Sequence, residues 1–217
     1  MVEETSLVCE ELHKLFNNMK RFTFPFNEKG ISENGIYILF EKNELAHGGN
    51  RIVRIGTHTG NNQLKSRLKQ HFLNENKDRS IFRKNIGRAL LNKNNDPFLK
   101  QWEIDLTTRE AKQEHQQEVD SEKQKQVEKQ VTKHIQENFS FIVIPIADKE
   151  KRLELESKII STVSLCKDCK PSENWLGFSS PKEKIRESGL WLVNELYKQP
   201  LSNLDVIELK NLIKEIK

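Results

Sequence analysis

No apolar run in this 217-residue sequence reaches the roughly 18 residues that a membrane-spanning helix needs. The first five residues, Met-Val-Glu-Glu-Thr, are acidic and lack the basic and apolar regions of a secretion signal. A cytoplasmic protein with no membrane partner is expected. Cysteine is scarce: Cys9, Cys166 and Cys169 are an odd set, which argues against a disulfide framework. Cys166-x-x-Cys169 is half of a zinc motif, but no second Cys-x-x-Cys and no close histidine pair completes it, so ordinary reduced thiols are expected. Tyrosine is rarer still, at two residues. Hydrophobic residues make up 35% of the chain and charged residues 31%. That is polar for a globular protein, yet the apolar residues cluster in ordered runs, which implies a folded chain with a modest core and some solvated segments.

The net charge of +4 is unevenly placed. Residues 51–93 carry eleven Lys or Arg against two acids, a local excess of nine positive charges. Residues 1–33 hold six acids and four bases, and residues 109–138 seven acids and six bases. A basic middle inside a near-neutral chain is the footprint of a polyanion partner. The competing reading is a solvated, Lys-rich face with no partner.

Leu12, Leu15, Phe16 and Met19 predict an amphipathic helix over 5–22, capped by Thr5 or Ser6 and ended by Phe24-Pro25-Phe26. Residues 36–40 read as a short strand entered through the Asn34-Gly35 turn. Residues 51–55 read as a second strand, antiparallel to it across a loop of about ten residues. Leu64, Leu68 and Phe72 define the buried stripe of the next helix, with Arg67 and His71 one turn apart on a neighbouring face. An insertion over 74–138 holds a basic helix at 80–91 and a short one at 97–102. Its Gln/Glu/Lys-rich stretch, 109–138, reads as one long surface helix or two, with Val119, Val127, Val131 and Ile135 as a thin apolar stripe. Residues 139–146 are the strongest strand and belong at the centre of a sheet. The helix 149–163 follows, with Leu153, Ile160 and Val163 on its buried stripe and Glu156 in line with them. Helices near 185–197 and 204–216 finish the chain. The expected class is α+β: a small three-stranded mixed or antiparallel sheet flanked by helices, in one domain. Its core is about 34–73 and 139–175, with the insertion 74–138 and extensions 1–33 and 176–217.

Within this scheme a hairpin feeding a helix brings one phenol (Tyr37), one guanidinium (Arg67) and one imidazole (His71) towards a common point, all of them groups that handle phosphate. Glu156 on an apolar stripe needs a cation or a tight hydrogen bond, because a bare buried acid is costly. A Mg²⁺ ion held by one carboxylate, waters and a substrate phosphate satisfies it; a Lys or Arg partner is the plainer alternative. Arg67 can grip a phosphate through two parallel N–H donors.

Gly35-Ile36-Tyr37, Arg54-Ile55-Gly56, Arg67 eleven residues later, His71, Glu156 in the helix after the third strand and Asn174 in the loop beyond form an ordered set. That set resembles the GIY-YIG nuclease superfamily, over roughly half of the chain. The resemblance implies a metal-dependent phosphodiesterase using Mg²⁺ or Mn²⁺ on double-stranded DNA. It implies Tyr37, Arg54, Arg67, His71 and Glu156 as catalytic residues, Glu156 as the metal ligand, and His58 and Asn174 as further catalytic or positioning groups. Tyr37 is the phenol assigned a base role in that family; His71 either shares the proton transfer or holds Tyr37 or the phosphate. The family's second tyrosine is replaced by Arg54, a poor proton acceptor that would favour the phenolate of Tyr37.

The chain carries its insertion without separate domains, which resembles stand-alone restriction-type members. Arg51, Lys65, Lys69, Arg79, Arg83, Lys84 and Arg88 are the expected DNA-binding cations, and Arg79, Arg83, Lys84 and Arg88 form a basic helix face suited to a groove or its phosphates. Palindromic recognition implies a homodimer, for which the 109–138 stretch is the available element. The rival readings are a structure-specific repair or recombination nuclease, a catalytically inactive DNA-binding module of the same fold, and an interaction protein built on the 109–138 helix.

Overall fold

The computed structural model describes residues 2–214. Its sheet has four strands, all antiparallel: β1 (Phe22–Thr23), β2 (Gly35–Ala46), β3 (Gly49–Gly56) and β4 (Phe139–Pro145), in the order β1-β4-β2-β3. The expected three strands are present and a fourth is added. β1 has only two residues, too short to show periodicity, and pairs Phe22 with Phe141 and Thr23 with Ser140. The chain therefore leaves the first helix, α1 (Val2–Asn17), five residues before the expected end. Thr5 and Ser6 lie inside α1 and not at its cap.

The remaining helices are α2 (Leu64–Phe72), α3 (Ile81–Lys93), α4 (Leu99–Trp102), α5 (Arg109–His115), α6 (Ser121–Asn138), α7 (Lys149–Leu165), α8 (Glu183–Ser188) and α9 (Asn203–Lys214). The expected end of the last helix at Ile216 lies outside the described residues. Helices cover both faces of the sheet. Ile36, Ile38, Phe40, Ile142 and Ile144 join α1, α7 and α9 in one core. Tyr37, Leu39, Phe141 and Val143 join α2, α3 and α6 in the other. Burial on both faces is why β4 reads as a continuous apolar run and sits inside the sheet.

β2 and β3 run on to a tight turn at His47-Gly48, both with positive φ, in place of the expected ten-residue loop. The extension carries two buried acids that the periodicity concealed. Glu41 accepts the indole N–H of both Trp175 and Trp191 at 2.8 Å. Glu44 pairs with Arg51 at 2.7 Å, and Arg51 Nη1 donates to Gly189 O at 2.6 Å. These bonds fasten the segment after α7 to the hairpin. β3 is the edge strand and contains a bulge: Leu39 pairs with Arg54 and Phe40 with Ile52, leaving Val53 unpaired with β2. The Val53 carbonyl accepts the Trp191 N–H at 2.8 Å, so the C-terminal segment covers that edge.

Three of the insertion's expected DNA-binding cations are structural. Arg83 is fully buried and donates to the Glu128 carboxylate at 2.6 Å, to Thr132 Oγ1 at 2.8 Å and to the His71 carbonyl at 3.1 Å. Arg88 forms a two-point pair with Glu103, both contacts at 2.6 Å. Lys84 is buried against Asp78 and the Glu103 carbonyl. Val127, Val131 and Ile135 of α6 are buried in the same core, so the thin apolar stripe packs against this chain's own helices.

Candidate active site

The hairpin, both helical layers and the C-terminal segment meet along the outer edge of β3. A cleft of 450 Å³ is lined there by Arg54 and Ile55 of β3, Arg67 of α2, Ile81 and Asn85 of α3, Leu153, Glu156 and Ile160 of α7, and residues 192–195. The position follows from the layers: α7 packs on one face, α2 and α3 on the other, and the open edge between them is the groove. Leu153, Glu156 and Ile160 share one side of α7, as their spacing requires, but that side faces the cleft. Of the expected stripe, Ile160 and Val163 are buried, together with Leu155 and Ile159, and Leu153 is half-buried.

Glu156 and Arg67, distant in sequence, share this cleft, and Arg54 joins them. Burial raises the Glu156 carboxyl above its usual range; Arg54 and a hydrogen bond from the Thr57 N–H oppose that, and Glu195 adds to it. Arg67 is held by Gln70 Oε1 at 3.0 Å and the Arg79 carbonyl at 3.1 Å through Nη1 alone. Arg54 donates through Nη1 to the Trp191 carbonyl and lies over the Phe82 ring. Two buried donors in the cleft wall, Arg54 Nε and Asn85 Nδ2, have no protein partner.

Tyr37 and His71, expected at the same point, are buried and do not line the cleft. Tyr37 pairs across the hairpin with Gly56, and a Cβ on Gly56 would stand 2.2 Å from the phenol oxygen. Glycine is required there because the phenol lies on its backbone. The Tyr37 hydroxyl is 2.7 Å from His71 Nε2, and His71 Nδ1 is 2.7 Å from Ser80 Oγ, which caps α3 by accepting the Arg83 N–H. Burial first, then the charges of Arg54, Arg67 and Arg83, hold the His71 imidazole well below its usual pKa. The ring is therefore neutral near pH 7 and is bonded on both sides, to Tyr37 and to Ser80.

A second cavity of 470 Å³ adjoins through Arg67, which lines both, and is also lined by Thr57, His58, Gln63, Ser66, Gln70 and Arg79. His58 is placed there and not beside Glu156. Its Nδ1 is 2.6 Å from the Gly60 carbonyl and its Nε2 accepts the Gly35 N–H at 3.4 Å; burial lowers its pKa.

Several expected residues lie elsewhere. Asn174 is exposed and does not line the cleft; Asn194, twenty residues later, does. The expected 185–197 helix stops at Ser188 because Gly189 adopts φ +69°, a left-handed helix end, and the freed chain then lines the cleft with Leu192, Val193, Asn194 and Glu195. The Ser188-Gly189 dipeptide was the available signal. Of the expected DNA-binding cations, Arg51, Arg83, Lys84 and Arg88 are buried in ion pairs, each facing a carboxylate inside the fold. Lys65 and Lys69 sit on the surface, paired with Glu33 and Glu28, and Arg79 is exposed.

No helix among the described residues is long and apolar enough to cross a membrane. Comparison with curated proteins and with solved structures gives no match. A family model described as the GIY-YIG domain matches residues 3–217. That family is one of nucleases, generally dependent on a divalent metal. With Gly35-Ile36-Tyr37 and Arg54-Ile55-Gly56 paired in one hairpin, and Arg67 and Glu156 facing each other beside it, this chain belongs to the GIY-YIG family.

Proposed function

We infer that the protein is a Mg²⁺- or Mn²⁺-dependent endonuclease that hydrolyses phosphodiester bonds in double-stranded DNA, in the manner of a stand-alone restriction enzyme. The observation that carries this reading is the shared cleft: one partly buried carboxylate, Glu156, faces two guanidiniums, Arg54 and Arg67, along an open sheet edge. The second cavity, reached through Arg67 and edged by Arg79, gives room for a neighbouring phosphate of the same strand.

The donor set fits a hard divalent cation. Glu156 is a carboxylate whose pKa is raised by burial and by Glu195, and a cation beside it would relieve that; Glu195 is already bonded to Lys198 and Ser157. Such an ion, held by Glu156, would draw charge from the phosphate oxygens. The protein's own groups supply the rest. Arg67 has a guanidinium edge left free to bind a phosphate oxygen, and Arg54 adds a second positive charge that limits the rise of negative charge there. The Tyr37 hydroxyl is bonded to His71, and His71 to Ser80, so the imidazole would hold and orient the phenol. Asn194, at the rim, takes the positioning role expected of Asn174.

The test is incubation of the purified chain with plasmid DNA and Mg²⁺, beside Glu156→Ala. The variant should lose about 10²–10³-fold in cleavage rate while remaining folded. Equal cutting by both proteins, or by neither, removes the nuclease reading. Sequencing the ends separates its finer parts: ends at fixed positions support restriction-type cutting, and ends confined to forks or flaps support structure-specific cutting instead.

A further inference from the structure

Cysteine and histidine converge at a place remote from the cleft. Cys9 and His13 lie one turn apart on α1, His47 forms the turn between β2 and β3, and Cys166 and Cys169 follow the end of α7. The donor atoms of Cys9, His13, His47 and Cys169 all lie within 4.8 Å of one another. Cys166 Sγ is 3.4 Å from His47 Nε2, and Cys169 Sγ is 3.5 Å from His13 Nε2. The thiols of Cys166 and Cys169 both lie against that of Cys9, and His47 touches both of them. Zinc bonds of about 2.0–2.3 Å in a tetrahedron set ligand-to-ligand edges of about 3.3–3.8 Å. The Cys166–His47 separation falls in that range.

We propose that Cys9, His47, Cys166 and Cys169 bind a structural zinc ion that ties α1, the hairpin turn and the end of α7 together. The choice among the five donors follows from hydrogen bonding. His13 Nδ1 is 2.8 Å from the Cys9 carbonyl, and its Nε2 accepts the Ile52 N–H at 3.2 Å, so both ring nitrogens already serve the backbone. His47 has its Nε2 facing thiols, and its positive φ of 50° turns it inward from the hairpin. Cys166-x-x-Cys169 has the two-residue spacing of a zinc knuckle, and the missing half comes from α1 and the hairpin, 119 residues or more away. No carboxylate oxygen joins the cluster among the described residues, and sulfur with imidazole selects zinc over magnesium or calcium. Three thiols release their protons on binding, leaving a site of net charge −1 with all four positions filled and none open for catalysis.

Protein produced with added zinc and purified without a metal-affinity step should contain about one zinc per chain by elemental analysis. Reconstitution with Co²⁺ should give thiolate-to-cobalt charge-transfer absorption and the intense visible bands of a tetrahedral site. Cys9→Ser and Cys169→Ser should each lose the metal, whereas His13→Ala and Glu156→Ala should keep it. Because the readout is metal content and spectrum, it stands apart from cleavage, and if the cysteine variants fail to fold, the wild-type Co²⁺ spectrum decides. A metal-free native chain, an octahedral Co²⁺ spectrum, or zinc retained in Cys169→Ser overturns the site. Loss of zinc in Glu156→Ala shows that the ion sits in the cleft, and loss in His13→Ala overturns the ligand set.

Discussion

The cleft and the helical insertion are both rich in arginine, and their arginines do opposite things. Arg83 and Arg88 in the insertion each face a carboxylate, with Arg83 fully closed off from solvent. In the cleft, Arg67 and Arg54 donate to neutral oxygens and share their space with Glu156 of α7 and with Glu195, which is itself paired with Lys198. Local charge density in a sequence therefore says little about partners until each cation's counter-charge is located. A buried pair fixes shape, while a cation facing an open groove remains available for a ligand.

Substitutions should separate the two regions. The largest effect is expected from Glu156→Ala, a loss confined to cleavage, as given above. Next, Arg83→Ala leaves Glu128 buried without its cation, in a site where burial already raises that carboxyl, and should cost about 3–5 kcal/mol in urea unfolding. A cost below about 1 kcal/mol would show that the pair is not structural and would return Arg83 to the DNA-facing set. Gly56→Ala places a methyl group on the Tyr37 phenol and should destabilise by about 1–3 kcal/mol, while also slowing cleavage by displacing the phenol. Unchanged kinetics in that variant would detach Tyr37 from the reaction. A smaller effect belongs to Arg79→Ala: the dependence of DNA affinity on salt should fall by about one unit of slope, with stability unaffected. Arg88→Ala should leave that slope where it is, and a reduction there would erase the contrast.

The smallest effect is on pH dependence. The folded His71 value lies well below the usual 6.5, so on acidification the unfolded chain takes its proton first. The stability this residue contributes is complete above that value and declines as pH falls towards the folded one. Glu156 works in the opposite direction, since its raised value lets the folded chain take up a proton before the unfolded one. Urea midpoints measured between about pH 7.5 and 5.5 should fall with acid in the wild type, and the slope should flatten in His71→Gln. An identical slope in the variant would assign the effect elsewhere.

The order of elements was legible because each strand and helix announces itself through local periodicity: Leu64, Leu68 and Phe72 are all fully buried, and β4 sits inside the sheet. Arg67 and Glu156 share one cleft, as expected from the ordered set that resembles the family, while Tyr37 is buried and does not line it. What was misread depended on contacts remote in sequence. Glu128 is 45 residues from Arg83, and Glu103 is 15 from Arg88, so neither pair shows in a window of charge. β1 was missed because two residues carry no period, and its strand character comes from Phe141 and Ser140. Asn174 was chosen by its place after α7, whereas the cleft takes Asn194 because the chain turns at Gly189 and is pinned to Glu41 and Val53. The Cys/His cluster was set aside because its halves lie on α1, the hairpin and the end of α7.

Trp191 bonds Glu41 through its indole and Arg54 and Val53 through its backbone, so a single residue clamps the hairpin to the stretch that lines the cleft. Replacing that indole would loosen residues 192–195 and with them one wall of the cleft, at a distance from every charged group in it.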